Sequence, residues 1–374
     1  MKATILTTDL VKGLGVVGRV VAGRSQMAVL ANVLVEAVKE GVTLTATNLE
    51  LGMRVVIGGK VTKEGSLTVP AKNFGEFAGS LKGETVDIEV EGEKMTVKSG
   101  KFEGTFTGIA ASEFPAMPRM TGGEKSKRVK IKREMIEEMA REVAFAAAAD
   151  ESRPVLTGIK VKMEEGKLVV MATDGFRLSR KVIEVSGKGW EDVAEGLILP
   201  ARTITEVARL IGEGSGSGEL IMEMLTDSNQ VIFGLEKIEA VSRILEGNFP
   251  DVKKIIPTEW KTRLTVDREE LVRAIRAAAV FAREANNIIK LKIQDARITI
   301  YAAASQSGES EMELEADTEG EEATISFNYR YVSDFLTNIE AERIVFEMSG
   351  SLAPGVWKPE KDENLVHIIM PVRV

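Results

Sequence analysis

Cysteine is absent from the 374-residue chain, and histidine occurs once, as His367. Without thiols there is no disulfide, no thiolate metal site and no cysteine nucleophile, and one imidazole cannot form a histidine cluster. His367 alternates with Val366 and Ile368 in an apolar stretch with no nucleophile beside it, the setting of a structural histidine. A lysine in a G-x-x-x-x-G-K setting is also missing, so there is no P-loop. The sequence leads to no metal, no cofactor and no catalytic residue. Long apolar runs are lacking too: none approaches the roughly 18 residues of a membrane span. The opening MKATILTTDL lacks the basic-then-apolar pattern of a secretion signal. The expectation is a cytoplasmic protein with no membrane partner.

What is present is the composition of a folded chain, 44% hydrophobic and 28% charged. Its length exceeds one ordinary core and suits three units of about 125 residues. The net charge of −8 runs against nucleic-acid binding. A phosphate backbone, however, responds to the charge on the surface facing it, and an acidic exterior can coexist with a basic lining.

Three landmarks recur along the chain, and a shared period is the signature of repeated domains. The first is an alternating strand: Gly41-Val-Thr-Leu-Thr-Ala-Thr-Asn48, Gly166-Lys-Leu-Val-Val-Met-Ala-Thr-Asp174 and Asp295-Ala-Arg-Ile-Thr-Ile-Tyr-Ala-Ala303, with starts 125 and 129 residues apart. The second is a strand running into a helix at Leu67–Phe74, Leu197–Ile204 and Ile325–Val332, where Pro70 and Pro200 are 130 residues apart and Pro200 and Asn328 are 128 apart. The third is a helix opening at Asp9–Leu14, Glu134–Met139 and Glu270–Ile275.

Three domains follow, over 1–122, 128–256 and 257–374, separated by the Gly-rich stretch Met120–Lys127 and the proline-stiffened Phe249–Pro257. The helices are predicted at Asp9–Val21, Ala71–Leu81, Arg133–Ala148, Ala201–Ile211, Arg268–Glu284 and Tyr329–Ile339. Period-2 segments such as Thr85–Glu91 and Glu93–Lys98 read as antiparallel strands, so the fold class is α+β.

The candidate chemistry is thin. Gly13-Leu-Gly15-Val-Val-Gly18 matches the dinucleotide fingerprint, which would make the chain a nicotinamide-dependent oxidoreductase. That chemistry needs the glycines between a strand and a helix start, and here Thr7-Thr8-Asp9 already opens the helix. Glycines inside a helix point instead to close packing. Thr173-Asp174-Gly175-Phe176-Arg177 places an Asp and an Arg at a strand end, and its ordinary reading is a turn. The helices carry Lys12, Arg19, Lys72, Arg202, Arg273, Arg276 and Arg330, while acids such as Asp87, Glu89, Glu311, Glu313 and Glu315 crowd the strands. Glu134, Glu137, Glu138 and Glu142 blur that partition, so a basic lining and a mixed solvated face both stay open on charge alone.

The segments Leu44-Thr-Ala-Thr-Asn-Leu-Glu50, Thr68-Val-Pro-Ala-Lys72, Ser112-Glu-Phe-Pro115, Arg153-Pro-Val-Leu-Thr-Gly158, Ala172-Thr-Asp-Gly-Phe-Arg-Leu-Ser179, Leu245-Glu-Gly-Asn-Phe-Pro-Asp251 and Met370-Pro-Val-Arg-Val374 together resemble the beta sliding clamp family of bacterial DNA polymerase III. The resemblance covers the whole chain. It implies the DNA clamp fold, three similar domains each with two helices and two antiparallel sheets. It also implies a non-catalytic, nucleoid-associated homodimer that encircles duplex DNA without reading sequence. The partners it implies are the DNA polymerase III alpha subunit, the clamp loader and other proteins carrying a clamp-binding motif.

The resemblance assigns DNA contact to Arg24 and Arg153, and the helical Lys12, Lys72 and Arg202 join them as candidates. It places a peptide pocket at Leu156, Thr173, Gly175, Phe176, Arg177, Leu178, Pro250 and Ile255, with Asn328, Tyr331, Ile368, Met370, Pro371, Val372 and Arg373 from the last domain. It places the dimer interface at Phe106, Val280 and Phe281. Two departures stand out: Phe176 where His or Tyr is frequent, and Gly104 where a bulky apolar residue can occur. A clamp paralogue with altered partner or inhibitor binding is the alternative.

Overall fold

The computed structural model describes the chain except residues 24–25, 121, 123–125, 187–188, 194–195, 214–218, 226, 306 and 374. Among the described residues there are helices α1 (Thr7–Val17), α2 (Ala71–Ser80), α3 (Arg133–Glu138), α4 (Ala201–Gly212), α5 (Arg268–Ala282) and α6 (Tyr329–Asn338). Every strand pairing within the four sheets is antiparallel. The fold is α+β, with three similar domains of two helices and two antiparallel sheets each. None of these helices is long and apolar enough to cross a membrane.

Local chemistry explains where helices start. The Asp267 carboxylate accepts from the Glu270 N–H at 2.8 Å and caps α5, which buries Leu271, Ala274, Ile275, Ala278, Ala279 and Ala282 along one stripe. Asn328 caps α6 in the same way through Arg330 N–H.

Two helices depart from expectation. The first begins at Thr7 and ends at Val17, giving way to a 3-10 turn, Gly18–Val20. The N-cap position falls to Leu6, whose side chain cannot accept a hydrogen bond, and the Thr7 hydroxyl donates to the Gly83 carbonyl at 2.5 Å. The third helix, predicted to run to Ala148, stops at Glu138 and continues as a π turn, Met139–Val143, and a 3-10 turn, Ala144–Ala146. The cause is Glu142, whose carbonyl accepts from the Ser179 hydroxyl at 2.5 Å and whose carboxylate meets Lys181 Nζ at 2.9 Å. The widened turn frees that carbonyl from the helical ladder.

The chain separates into two compact units, Met1–Arg133 with Glu206–Ile244 and Glu134–Thr205 with Leu245–Val374. Unit one holds a five-stranded sheet ending in the edge strand Phe102–Thr107, and an eight-stranded sheet. At the middle of the larger sheet Ile238–Arg243 pairs with Leu51–Ile57, with Ile238 opposite Val55. Unit two holds a nine-stranded sheet, in which Arg177–Ile183 pairs with Leu365–Ile369, and a four-stranded sheet ending in Gly308–Glu315. Its core gathers Phe327, Phe335, Phe346 and Trp357. Each large sheet thus joins strands from two sequence repeats in one continuous hydrogen-bonded ladder.

Candidate functional site

In unit two the strands Lys167–Thr173 and Arg177–Ile183 are joined by a tight turn. The Asp174 carboxylate accepts from the N–H groups of Phe176 (2.9 Å) and Arg177 (3.0 Å). The Thr173 hydroxyl accepts from Gly175 N–H at 3.0 Å and donates to the Arg177 carbonyl at 2.6 Å. Gly175 has φ 94°, a left-handed conformation that glycine adopts without a Cβ penalty. This is an Asx turn, in which a short polar side chain replaces backbone partners. Unit one repeats it: Asn48 accepts from Glu50 and Leu51, and Thr47 holds Leu49 at φ 77°.

The turn aims Phe176 outward, 58% exposed, with its ring stacked on Tyr331 at 6.5 Å and 14°. Arg177 turns inward. Its guanidinium donates to Asp174 at 3.0 Å and Asp334 at 2.5 Å and lies over the Tyr331 ring at 4.8 Å. Two carboxylates and a π face satisfy its charge, so it braces the turn against α6. Burial raises the Tyr331 phenol above its ordinary pKa, with the Asp174 charge adding to it.

Beside this turn lies a cavity of about 110 Å3. Its floor is buried Leu156, Leu178, Val252 and Ile368, and its rim is the exposed Phe176, Ile255 and Met370. Thr173, Gly175, Arg177 and Pro250 complete the wall, together with Arg153. The Met370 N–H donates to the Phe176 carbonyl at 2.9 Å, which fixes the chain terminus along the rim. The volume suits one apolar side chain, and the floor is already desolvated.

Ten of the fifteen predicted pocket residues line this cavity. The other five, Asn328, Tyr331, Pro371, Val372 and Arg373, do not. Asn328 caps α6, Tyr331 stands behind Phe176, and Val372 N–H donates to the Ser326 carbonyl at 2.8 Å. Val252 was missed by the sequence reading. Its signal was an apolar residue isolated among Asp251, Lys253 and Lys254.

Of the predicted DNA contacts, Lys12 on α1, Lys72 on α2 and Arg202 on α4 are exposed. Arg153 sits at the pocket wall, its Nη2 donating weakly to the Asp174 carbonyl at 3.5 Å. Arg24 lies outside the described residues. Of the predicted interface residues, Val280 is 60% exposed on α5, Phe281 is half-buried, and Phe106 packs edge-on against Phe74 and Phe77. The Phe77 ring covers Gly104, with three of its carbons 2.7 to 3.1 Å from where a Cβ would stand.

Gly13 and Gly15 lie within α1, where their N–H groups belong to the helix and cradle no phosphate. Gly13 is closely packed, since a Cβ there would fall 2.9 Å from Leu44 Cδ1, whereas Gly15 and Gly18 have open space around them. Among the described residues no group of acids and histidine could hold a metal ion.

Residues 1–118, 130–251 and 253–373 match, in turn, the N-terminal, central and C-terminal domains of the DNA polymerase III beta subunit. The beta sliding clamp of Bacillus subtilis is 31% identical over 100% of both chains, and that of Staphylococcus aureus is 27% identical over 95% of this chain and 94% of its own. Among solved structures, the Bacillus subtilis sliding clamp superposes with a TM-score of 0.91 at 28% identity, covering 100% of this chain and 99% of its own. The Bartonella birtlesii clamp bound to griselimycin superposes with a TM-score of 0.93 at 27% identity over 100% of both chains.

Proposed function

The chain belongs to the DNA polymerase III beta subunit family, the beta sliding clamps, and on that premise we propose that two copies close head to tail into a ring around duplex DNA. The ring tethers DNA polymerase III alpha, the clamp loader and other motif-bearing proteins by inserting their apolar side chains into the pocket of unit two. The chain itself performs no chemistry. The single observation that carries the tethering role is the small open cavity with a desolvated floor and the exposed apolar rim Phe176, Ile255 and Met370.

DNA contact needs only weak attraction to phosphate, which Lys12, Lys72 and Arg202 supply from helix surfaces, with Arg24 and Arg153 as further candidates. Contacts to phosphate carry no sequence information, so the ring slides. The closing contact joins Phe106 of one copy to Val280 and Phe281 of the other.

Retention on DNA tests the ring. The protein, once loaded, stays on closed circular DNA and is lost when the circle is cut. Equal loss from both forms rejects topological linkage. A peptide from the polymerase tests the pocket: Met370→Ala weakens binding by about 1–3 kcal/mol, and equal affinity for both proteins rejects the assignment. Phe176 supports the paralogue as a second reading, and failure of the polymerase peptide to bind the wild type would favour it.

A further inference from the structure

The Asx turn that shapes the pocket of unit two has a twin in unit one, and the two share more than the turn. The Thr47 hydroxyl donates to the Leu51 carbonyl at 3.2 Å as Thr173 does to Arg177, and the Arg243 N–H donates to the Glu50 carbonyl at 3.1 Å as Met370 does to Phe176. Strand register agrees: Gly52 stands opposite Val241 where Leu178 stands opposite Ile368. Leu30 takes the place of Leu156, each donating its N–H to the carbonyl three residues earlier, Met27 and Arg153. Leu49 holds the left-handed turn at φ 77° although it carries a Cβ, where unit two has Gly175. Such a conformation persists only where its surroundings over-determine it. Unit one therefore has the frame of the pocket.

What differs is the filling. In unit two Leu178, Ile368 and Val252 floor the cavity, and Val252 follows Phe249-Pro250 by two residues. In unit one the floor position of Leu178 is Gly52, and the residue two after Phe114-Pro115 is Met117. The Met117 sulfur occupies the space that a Cβ on Gly52 would need. A long, adaptable thioether laid over a residue with no side chain closes the place that stays open in unit two. The rim differs too, since Glu50 and Arg243, both exposed, replace Phe176 and Met370.

The segment carrying Met117 is held down. Arg54, 5% exposed, donates to the Met117 carbonyl at 2.9 Å, the Pro118 carbonyl at 3.0 Å and the Glu239 carboxylate at 2.5 Å. Glu239 also accepts from the Met120 N–H at 3.3 Å. Arg54 faces Glu239 across the ladder, whereas at the same register in unit two Arg180 faces Val366. A buried guanidinium has a rigid fork of donors, and here the fork fixes the backbone on both sides of the Met117–Pro118 peptide bond.

We propose that unit one carries a second copy of the partner pocket whose occupant is the chain's own Met117, kept in place by Arg54. The linker is a resident ligand, so each chain offers partners one pocket and not two. The plug stands on unit one alone, while what an opened copy would receive rests on the pocket function proposed for unit two.

Thermal melts of the full chain test the plug. Gly52→Ala is expected to lower Tm by about 2–4 °C in the wild type, because the new Cβ and the Met117 sulfur compete for one space, and to bring no drop in a Met117→Ala background. An equal drop in both backgrounds would overturn the proposal. Titration with the polymerase peptide tests the opening: Met117→Ala, at unchanged circular dichroism, takes up two peptides per chain against one for the wild type. A single site per chain in that variant would refute the second pocket. A wild type that binds no peptide would instead strike the function proposed for unit two and leave the melts to decide the plug. Met117→Val, which reproduces the side chain of unit two, serves in both tests if Met117→Ala fails to fold.

Discussion

His367 is fully buried between the rings of Phe335 (5.0 Å, 13°) and Phe145 (5.2 Å), and neither ring nitrogen has a hydrogen-bond partner among the described residues. Burial, helped by the Arg177 charge, lowers its pKa to about 3, against an unfolded value near 6.5. Below pH 6.5 the unfolded chain takes up a proton that the folded chain refuses. Stability from this group is therefore complete above pH 6.5 and falls until about pH 3, by roughly 1.4 kcal/mol per pH unit and on the order of 5 kcal/mol in all. Denaturant melts of wild type and His367→Phe across that range check it: whatever constant offset the substitution brings, its profile is flatter. Glu223 adds a second acid-side loss. Its burial, which alone would raise the pKa, is outweighed by hydrogen bonds from Ser126, Arg128 and Gly122 N–H, and the pKa is lowered. Its contribution is present above the unfolded glutamate pKa and disappears as pH falls through the folded one, so the His367→Phe profile retains a decline at its acid end.

At the scale of elements, two glycines of α1 predict opposite signs. Gly15→Ala meets no atom within 4 Å and gains about 1 kcal/mol of helix propensity, whereas Gly13→Ala must displace the buried Leu44 and ends below Gly15→Ala by about 1–3 kcal/mol. Thermal melts of the pair decide it. The turn at Asp174 gives another test: Asp174→Ala removes acceptors from Phe176, Arg177 and the Arg177 guanidinium and costs about 1–3 kcal/mol. The turn was legible because Asp-Gly after an alternating strand has few other conformations. Most helices were legible because their apolar stripes repeat with the helical period. The break after Glu138 was not, since it depends on Ser179 and Lys181, about forty residues away. The pocket floor was readable only through family resemblance, because Leu178 and Ile368 come from strands that meet by long-range pairing. Arg153, which the family resemblance assigned to DNA contact, also stands at the pocket wall, a position its sequence did not reveal.

At the scale of the whole molecule, each unit ends one of its sheets in an unpaired edge, Phe102–Thr107 in one and Gly308–Glu315 in the other. Open edges invite association unless something blocks them. The second edge points Glu309, Glu311, Glu313 and Glu315 to solvent, so two such edges repel each other. The first has only Glu103 and brings the Phe74–Phe77–Phe106 cluster beside it. Unlike edges are therefore the compatible pair, and pairing them in two copies gives the head-to-tail closure proposed for the ring. Phe77 lying over Gly104 compensates there for the missing side chain. The decisive residue is Val280, apolar, on α5 and 60% exposed, outside the buried stripe of that helix. Val280→Glu is expected to leave stability within about 0.5 kcal/mol of wild type, because the new carboxylate stays in water in the single chain. In a closed ring the same carboxylate is buried against apolar surface, at a cost of several kcal/mol. If the proposed ring forms, sedimentation should accordingly show a dimer for the wild type and a folded monomer for the variant, and retention on circular DNA should vanish with it. A Val280→Glu protein that sediments as a wild-type dimer would remove this helix from the interface.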